Sequence, residues 1–174
     1  MKETSQELAT SGEHRGCDGW CFPAGKLGQG WSDFGLKGAP ARHGPRELEQ
    51  VTGDVTGWII EWDGQRRGAI YVSGDTVLFE ELQEIPQRYR IGTALLHFGA
   101  ARFDVFGPVY LTFTAAEGAS FATALGEVIV MPLHYEGWAH LTEGRAQIEQ
   151  AFVAAGLEQR LRFLPLGQPV PIDA

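Results

Sequence analysis

The feature that most constrains the fold of this chain is a change of sequence pattern near residue 54. Before it, glycines recur and no apolar periodicity lasts for a full helical turn or strand. Such a segment buries little apolar surface, so residues 1–38 are predicted to be irregular or disordered. After it, apolar segments of strand length alternate with segments of helical periodicity. This alternation predicts an α/β protein with helices packed on a sheet.

Turn and capping signals divide the second region into elements. Asp63-Gly64 is a strong hairpin pair, and Thr114 and Glu117 have the spacing of a helix capping box. Thr142 is a candidate cap for a last helix, which Gly156 would end. The predicted elements are strands at 56–62, 68–73, 91–98, 128–133 and 161–166, and helices at 79–89, 114–125 and 142–155.

Composition excludes several classes of protein. The 174 residues are 44% hydrophobic, which suits one domain with its own core. The net charge is −8 and no basic run occurs, so a nucleic-acid partner is not expected. No membrane span or secretory signal is found, which predicts a cytoplasmic protein. Cys17 and Cys21 lie four residues apart and are interpreted as incidental thiols, with a metal or disulfide role as the lesser alternative.

Four residues that could carry chemistry follow strands or lie in tight turns. Ligands of open α/β sheets bind beyond the carboxyl ends of the strands. Asp75 and His134 each follow a predicted strand, His97 ends another, and His43 lies between Pro40 and Pro45. Histidine and aspartate are typical zinc ligands, so the four are predicted to converge at one rim of the sheet.

Each of these residues also has a structural interpretation. Asp75 could equally well cap a helix that follows it. His134 could simply donate to a loop carbonyl. His97 is interpreted first as a partly buried, hydrogen-bonded side chain.

Five segments, taken in order, resemble the metallo-β-lactamase superfamily, in particular its lactonase-like "β-lactamase superfamily domain" hydrolases. The segments are 41–45 (ARHGP), 56–60 (TGWII), 71–76 (YVSGDT), 94–100 (ALLHFGA) and 130–138 (VMPLHYEGW). The resemblance runs from about Ala39 to near the C-terminus and does not include the residues before it. It implies a four-layer αβ/βα sandwich with one or two divalent metals at the sheet rim, usually zinc, with manganese as an alternative.

The resemblance also implies roles for individual residues. His43 resembles the histidine that completes the first metal site, Asp75 the carboxylate that bridges both metals, and His134 the last histidine of the second site. The implied reaction is attack of a metal-activated water on an ester, lactone, phosphoester or similar bond of a small molecule. Tyr135, Trp138 and His97 are expected to contact substrate, together with residues 103–111. Core packing is an equal alternative for Trp138, and His140 is taken as a surface residue.

One departure from the family pattern limits these implications. The His-x-His-x-Asp-His motif, which supplies most of the ligands in the family, is absent. Residues 39–174 are therefore predicted to be the C-terminal part of a domain whose N-terminal part is truncated, with weak metal binding and little hydrolysis by this chain alone. The alternatives are an inactive remnant or protein-binding module, or a half-enzyme completed by another chain. The partners considered are an oligomer or a complementing chain.

Overall fold

The computed structural model describes residues 34–172, whose five strands form one mixed sheet in the order β1-β2-β3-β4-β5. Strands β1 to β3 pair antiparallel, whereas β3, β4 and β5 run parallel. The carboxyl ends of the three parallel strands therefore meet at one edge of the sheet. The strands are β1 (Phe34–Ala39), β2 (Gly57–Trp62), β3 (Ala69–Val72), β4 (Ile91–His97) and β5 (Ile129–Leu133).

In the described part of the chain, four α-helices accompany the sheet: α1 (Glu49–Thr52), α2 (Ile85–Arg88), α3 (Ala115–Leu125) and α4 (Arg145–Ala154). The predicted capping box is confirmed, because Glu117 N donates to Thr114 Oγ1 at 3.1 Å and Thr114 N donates to the Glu117 carboxylate at 2.9 Å. None of the helices within residues 34–172 is long and apolar enough to cross a membrane.

Helices α3 and α4 cover one face of the sheet. Strand side chains alternate between faces, and the side chains that point toward the helices form a buried core. Its fully buried members include Ile59, Tyr71, Ala94 and Val130 from the strands and Phe121, Ile148 and Phe152 from the helices. A Cβ at Gly118 of α3 would clash with the ring of Phe98, so a glycine is needed where α3 crosses the end of β4.

The opposite face of the sheet is also largely apolar. One row of paired positions across it is Leu36, Ile60, Ile70, Thr93 and Ile129, and the next contains Trp58, Val72, Leu95 and Met131. Most of these side chains are only half-buried, and neither Ile70 nor Met131 belongs to the core cluster beneath the helices. We call this surface the open face.

Several predicted elements differ from those found. Residues 34–38 were expected to be irregular but form most of β1, because backbone pairing with β2 stabilises a strand that its side-chain pattern does not reveal. The expected helix at 79–89 is a short 3₁₀ segment followed by α2, with Pro86 in the first turn of α2 where its missing amide proton costs nothing.

Two predictions near the C-terminus are wrong. Thr142 does not cap α4, which begins after Gly144; its hydroxyl instead donates to the carbonyl of Ala100 at 2.8 Å. The expected last strand at 161–166 is reduced to a single bridge between Leu161 and Val130. The hairpin turn at Asp63-Gly64 is confirmed, and residues 1–33, with Cys17 and Cys21, lie outside the described part of the chain.

Candidate metal centre

Asp75 lies just beyond the carboxyl end of β3. The turn before it is fixed to the neighbouring strand, because Ser73 N donates to the carbonyl of Leu95 in β4 at 3.0 Å. The next helical segment begins only after Phe79, whose side chain makes no capping bond. The interpretation of Asp75 as a helix cap is therefore wrong. Its carboxylate lies at the sheet rim and caps no helix within residues 34–172.

The loop that carries His43 is held against the same turn. Arg42 N donates to Thr76 Oγ1 at 2.8 Å, and Val77 N donates to the carbonyl of Arg42 at 2.9 Å. These two bonds bring His43 into electrostatic contact with Asp75, and the carboxylate opposes the lowering of the histidine pKa. Residues more than thirty positions apart in sequence thus meet at one edge of the sheet.

His134 follows β5 in a left-handed backbone conformation, with φ of 54°. Its position depends on a close approach between the ends of two strands. Phe98 N donates to the carbonyl of Leu133 at 2.9 Å, and a Cβ at Gly99 would lie 2.5 Å from the His134 carbonyl oxygen. His134 Nδ1 then lies 4.0 Å from Asp75 Oδ1.

The hydrogen bonds of His134 determine which ring nitrogen is free. Its Nδ1 lies 3.3 Å from the carbonyl oxygen of Phe98. A carbonyl can only accept, so Nδ1 carries the proton of the neutral ring and Nε2 keeps its lone pair. The interpretation that His134 donates to a loop carbonyl is thus confirmed. A metal-binding histidine usually donates its other ring N–H to a carbonyl in this way, so the contact leaves Nε2 available as a ligand.

His97 has the same tautomer for a similar reason. The Ser73 hydroxyl donates to the carbonyl of Gly74 at 2.8 Å and accepts from His97 N at 2.9 Å. Because its one proton is committed, the hydroxyl accepts from His97 Nδ1, 3.3 Å away, and Nε2 of His97 is left with the lone pair. The interpretation of His97 as half-buried and hydrogen-bonded is confirmed, and its ring centre lies 6.1 Å from that of His134.

Burial sets the charge state of two of the histidines. It lowers the pKa of both His43 and His97, and repulsion from His134 lowers each pKa further, whereas Asp75 opposes the effect. The lowered pKa favours the neutral form of both rings. Neutral imidazole is the form that binds a metal ion.

Of the two other residues expected beside the site, only Trp138 faces solvent. The Trp138 side chain is 66% exposed, so core packing is wrong for it. The Tyr135 ring instead packs edge-on against Phe163, with ring centres 5.4 Å apart. Sequence reasoning missed His140, whose ring centre lies 6.4 Å from that of His134. A second histidine in the same loop after a strand was the available signal.

The chemistry of these donors fits a divalent cation, because imidazole nitrogens and a carboxylate are the usual ligands of zinc. Their spacing does not complete a site. Within residues 34–172, no group of three or more His, Cys, Asp or Glu side chains is arranged to hold a metal ion. His43, Asp75 and His134 thus form an open set of donors.

Comparison with known proteins identifies the family. The model of the Beta-lactamase superfamily domain matches residues 13–135, which is more than half of the chain. This chain therefore belongs to that family and has the metallo-β-lactamase fold. The match begins upstream of Ala39, so the similarity extends into a segment that the sequence motifs had left outside it.

Individual relatives agree with this assignment. A UPF0173 metal-dependent hydrolase of Methanosphaerula palustris is 28% identical over 138 residues, covering 76% of this chain and 57% of the relative. The crystal structure of an isothiocyanate hydrolase from Delia radicum gut bacteria has a TM-score of 0.72 at 20% identity, over 82% of this chain and 55% of that one. A metallo hydrolase from Ignicoccus hospitalis has a TM-score of 0.60 at 28% identity, over 79% and 52%. This chain spans about half the length of these relatives.

Proposed function

We propose that this chain supplies one half of the metal site of a metal-dependent hydrolase, with His43, Asp75 and His134 as ligands. The observation that carries the proposal is the meeting of Asp75 with three histidines at the carboxyl edge of the sheet, two of them with a free Nε2. Relatives named metal-dependent hydrolases support it. The remaining ligands come from outside residues 34–172 or from another chain.

In the proposed function, this chain's own residues would bind the cation and hold its ligand side chains in position. A divalent cation held at this edge, zinc or manganese, supplies a more acidic water and a polarised scissile bond of an ester, lactone or phosphoester. Asp75 contributes negative charge that offsets that of the cation. Phe98 and Ser73 would each engage Nδ1, of His134 and His97 respectively, which leaves Nε2 as the nitrogen free to bind.

Metal content tests this proposal. The purified protein is analysed for zinc and manganese by mass spectrometry, beside Asp75→Asn, which keeps the shape of the side chain and removes its charge. Asp104→Asn is the matched control, because the Asp104 side chain is fully exposed and pairs only weakly with Arg102 at 3.9 Å. We expect bound metal that falls several-fold in Asp75→Asn alone. Equal metal content in the wild-type protein and Asp75→Asn, at a zinc concentration that loads the wild-type protein, would contradict the proposal.

A second candidate function, association with another chain, is favoured by the open face. Half-buried Trp58, Val72 and Leu95 lie on it, and a cavity of about 240 Å³ is lined there by Thr93 and Met131 among others. Large apolar patches of this kind mark interaction surfaces. We propose that a chain carrying the remaining ligands, or a second copy of this one, covers the face. Light scattering that gives a monomer across a concentration series, and no copurifying chain, would refute this.

A further inference from the structure

Exposed apolar side chains concentrate in two loops beside the candidate metal centre. Within residues 34–172, nine large hydrophobic side chains are exposed, and four of them lie in the loops 101–111 and 134–141: Phe103, Val105, Tyr110 and Trp138. Isolated exposed apolar residues are ordinary on a protein surface, whereas a contiguous group beside a polar site indicates a binding surface.

A series of ring contacts joins these loops to the candidate metal centre. The ring of His140 stacks on Phe103 with centres 4.6 Å apart and lies 5.9 Å from the ring of Trp138. The ring centre of His140 also lies 6.4 Å from that of His134. We call Phe103, Trp138 and His140 the aromatic patch. It is continuous with the edge of the sheet where Asp75 lies.

The two loops are tied together by main-chain bonds, so the aromatic patch is formed before any ligand arrives. Arg102 N donates to the carbonyl of His140 at 2.9 Å, and Leu111 N donates to that of Ala101 at 2.8 Å. Ala101 and Leu141 also form a β-bridge. A preformed surface loses less conformational entropy on binding than a mobile loop.

The loop 101–111 also contacts the segment that carries His43. A Cβ at Gly44, the residue after His43, would lie 3.5 Å from the Tyr110 carbonyl oxygen and would clash with Leu111. The loop that begins at the aromatic patch therefore ends beside the His43 loop. The exposed residue Tyr110 thus lies in a loop that contacts the segment carrying His43.

The charge of the loops favours an uncharged ligand group. Residues 101–111 and 134–141 contain, besides His134 and His140, one Lys or Arg side chain, Arg102, and two acidic ones, Asp104 and Glu136. Arg102 lies 3.9 Å from Asp104. Neither loop offers the cluster of cations that a phosphate or carboxylate requires, whereas flat rings bind aromatic groups by stacking and edge contacts.

We propose that the aromatic patch binds an uncharged aryl group of the substrate and so selects aryl-bearing compounds over short aliphatic ones. This inference rests on the proposed hydrolase function, because it gives the substrate class of that same site. Trp138 provides the exposed ring, and His140, which stacks on Phe103, connects the patch to the candidate ligands.

Binding of 1-naphthol to the full chain, treated with chelator and measured by titration calorimetry, tests the inference without any need for turnover. We expect Trp138→Ala to weaken binding about three- to ten-fold and Trp138→Phe by less than about three-fold, as loss or retention of one aromatic contact predicts. Val153→Ala is the matched control, because Val153 is an exposed apolar side chain on α4. Equal affinity in Trp138→Ala and Val153→Ala would overturn the inference.

A second measurement applies even if a variant folds poorly. In the proton NMR spectrum, the indole N–H signal that is present in the wild-type protein and missing from Trp138→Phe belongs to Trp138. Addition of 1-naphthol is expected to shift this signal. An unmoved signal at saturating naphthol would overturn the inference. If the wild-type protein binds metal but Trp138→Ala leaves the affinity for naphthol unchanged, the patch inference alone fails. If Trp138→Ala weakens naphthol binding while Asp75→Asn leaves the metal content unchanged, the hydrolase proposal fails and the aromatic patch remains a ligand site.

Discussion

Gly99→Ala tests the close approach on which the position of His134 depends. Gly99 lies just after β4, with φ of 99°. An added Cβ would be 2.5 Å from the His134 carbonyl oxygen and 2.8 Å from Leu141 Cδ2. The first of these neighbours is backbone, which cannot swing away as a flexible side chain could.

Three effects set the magnitude. A side chain in a left-handed conformation costs about 1–2 kcal/mol, and forcing an atom into packed structure costs about 1–3 kcal/mol more. The alanine also restricts the unfolded chain, which offsets about 0.4–1 kcal/mol. The free energy of unfolding is therefore expected to fall by about 1–5 kcal/mol.

Gly137→Ala separates strain from collision. Gly137 has a similar φ of 91° in the His134 loop, but a Cβ added there would meet no atom within 4 Å. In Gly137→Ala, only the cost of the left-handed backbone and the restriction of the unfolded chain apply. The free energy of unfolding is therefore expected to fall by less than about 1.5 kcal/mol. Urea denaturation of both variants and the wild type gives the comparison. Equal losses for Gly99→Ala and Gly137→Ala would refute the argument that strand ends in contact position His134.

Three further predictions follow from single contacts, each checked by urea denaturation. Thr114→Ala is expected to cost about 0.5–2 kcal/mol because it removes the capping bond to α3, and a neutral result would contradict the capping box. Tyr71→Phe is expected to be neutral or to stabilise by about 1 kcal/mol, since the buried Tyr71 hydroxyl has no hydrogen-bond partner among residues 34–172; a large loss would reveal an unrecognised partner. Burial lowers the pKa of His43 and His97 below 6.5 in the folded state, so the unfolded chain binds more protons below that pH and stability falls as the pH drops. In His97→Gln, the free energy of unfolding is expected to fall less steeply as the pH drops. An unchanged dependence on pH would contradict a lowered His97 pKa in the folded state.

Local signals in the sequence predicted the second region of the chain well. The Asp63-Gly64 turn and the Thr114–Glu117 capping box depend on interactions between residues that are close in sequence. They can therefore be recognised from the sequence alone. Strand β1 could not be found in this way, because its stability comes from pairing with β2 rather than from its own side chains. Thr142 failed as a cap for a related reason: a tertiary acceptor, the Ala100 carbonyl, binds its hydroxyl.

In the candidate site, too, the features that depend on local sequence could be predicted and those that depend on tertiary contacts could not. That Asp75 and His134 follow strands is visible in the sequence, and parallel neighbours then place them at one edge. Which nitrogen each histidine presents was not visible, because it depends on Phe98 and Ser73 from other strands. The contact between His140 and Phe103 was not visible either, because the two residues are far apart in sequence and stack only in the fold.

The donors are positioned by the sheet itself rather than by one another. Asp75 follows a turn bonded to β4, and His134 follows a strand whose last carbonyl is bonded to Phe98. Neither bond needs a metal ion or any ligand from outside residues 34–172. The arrangement therefore does not depend on a bound metal, and under the proposed function the remaining ligands would add to a preorganised half-site instead of creating it. Metal affinity would then be set mainly by whatever provides those ligands, which is why metal content and the search for a complementing chain belong in one experiment.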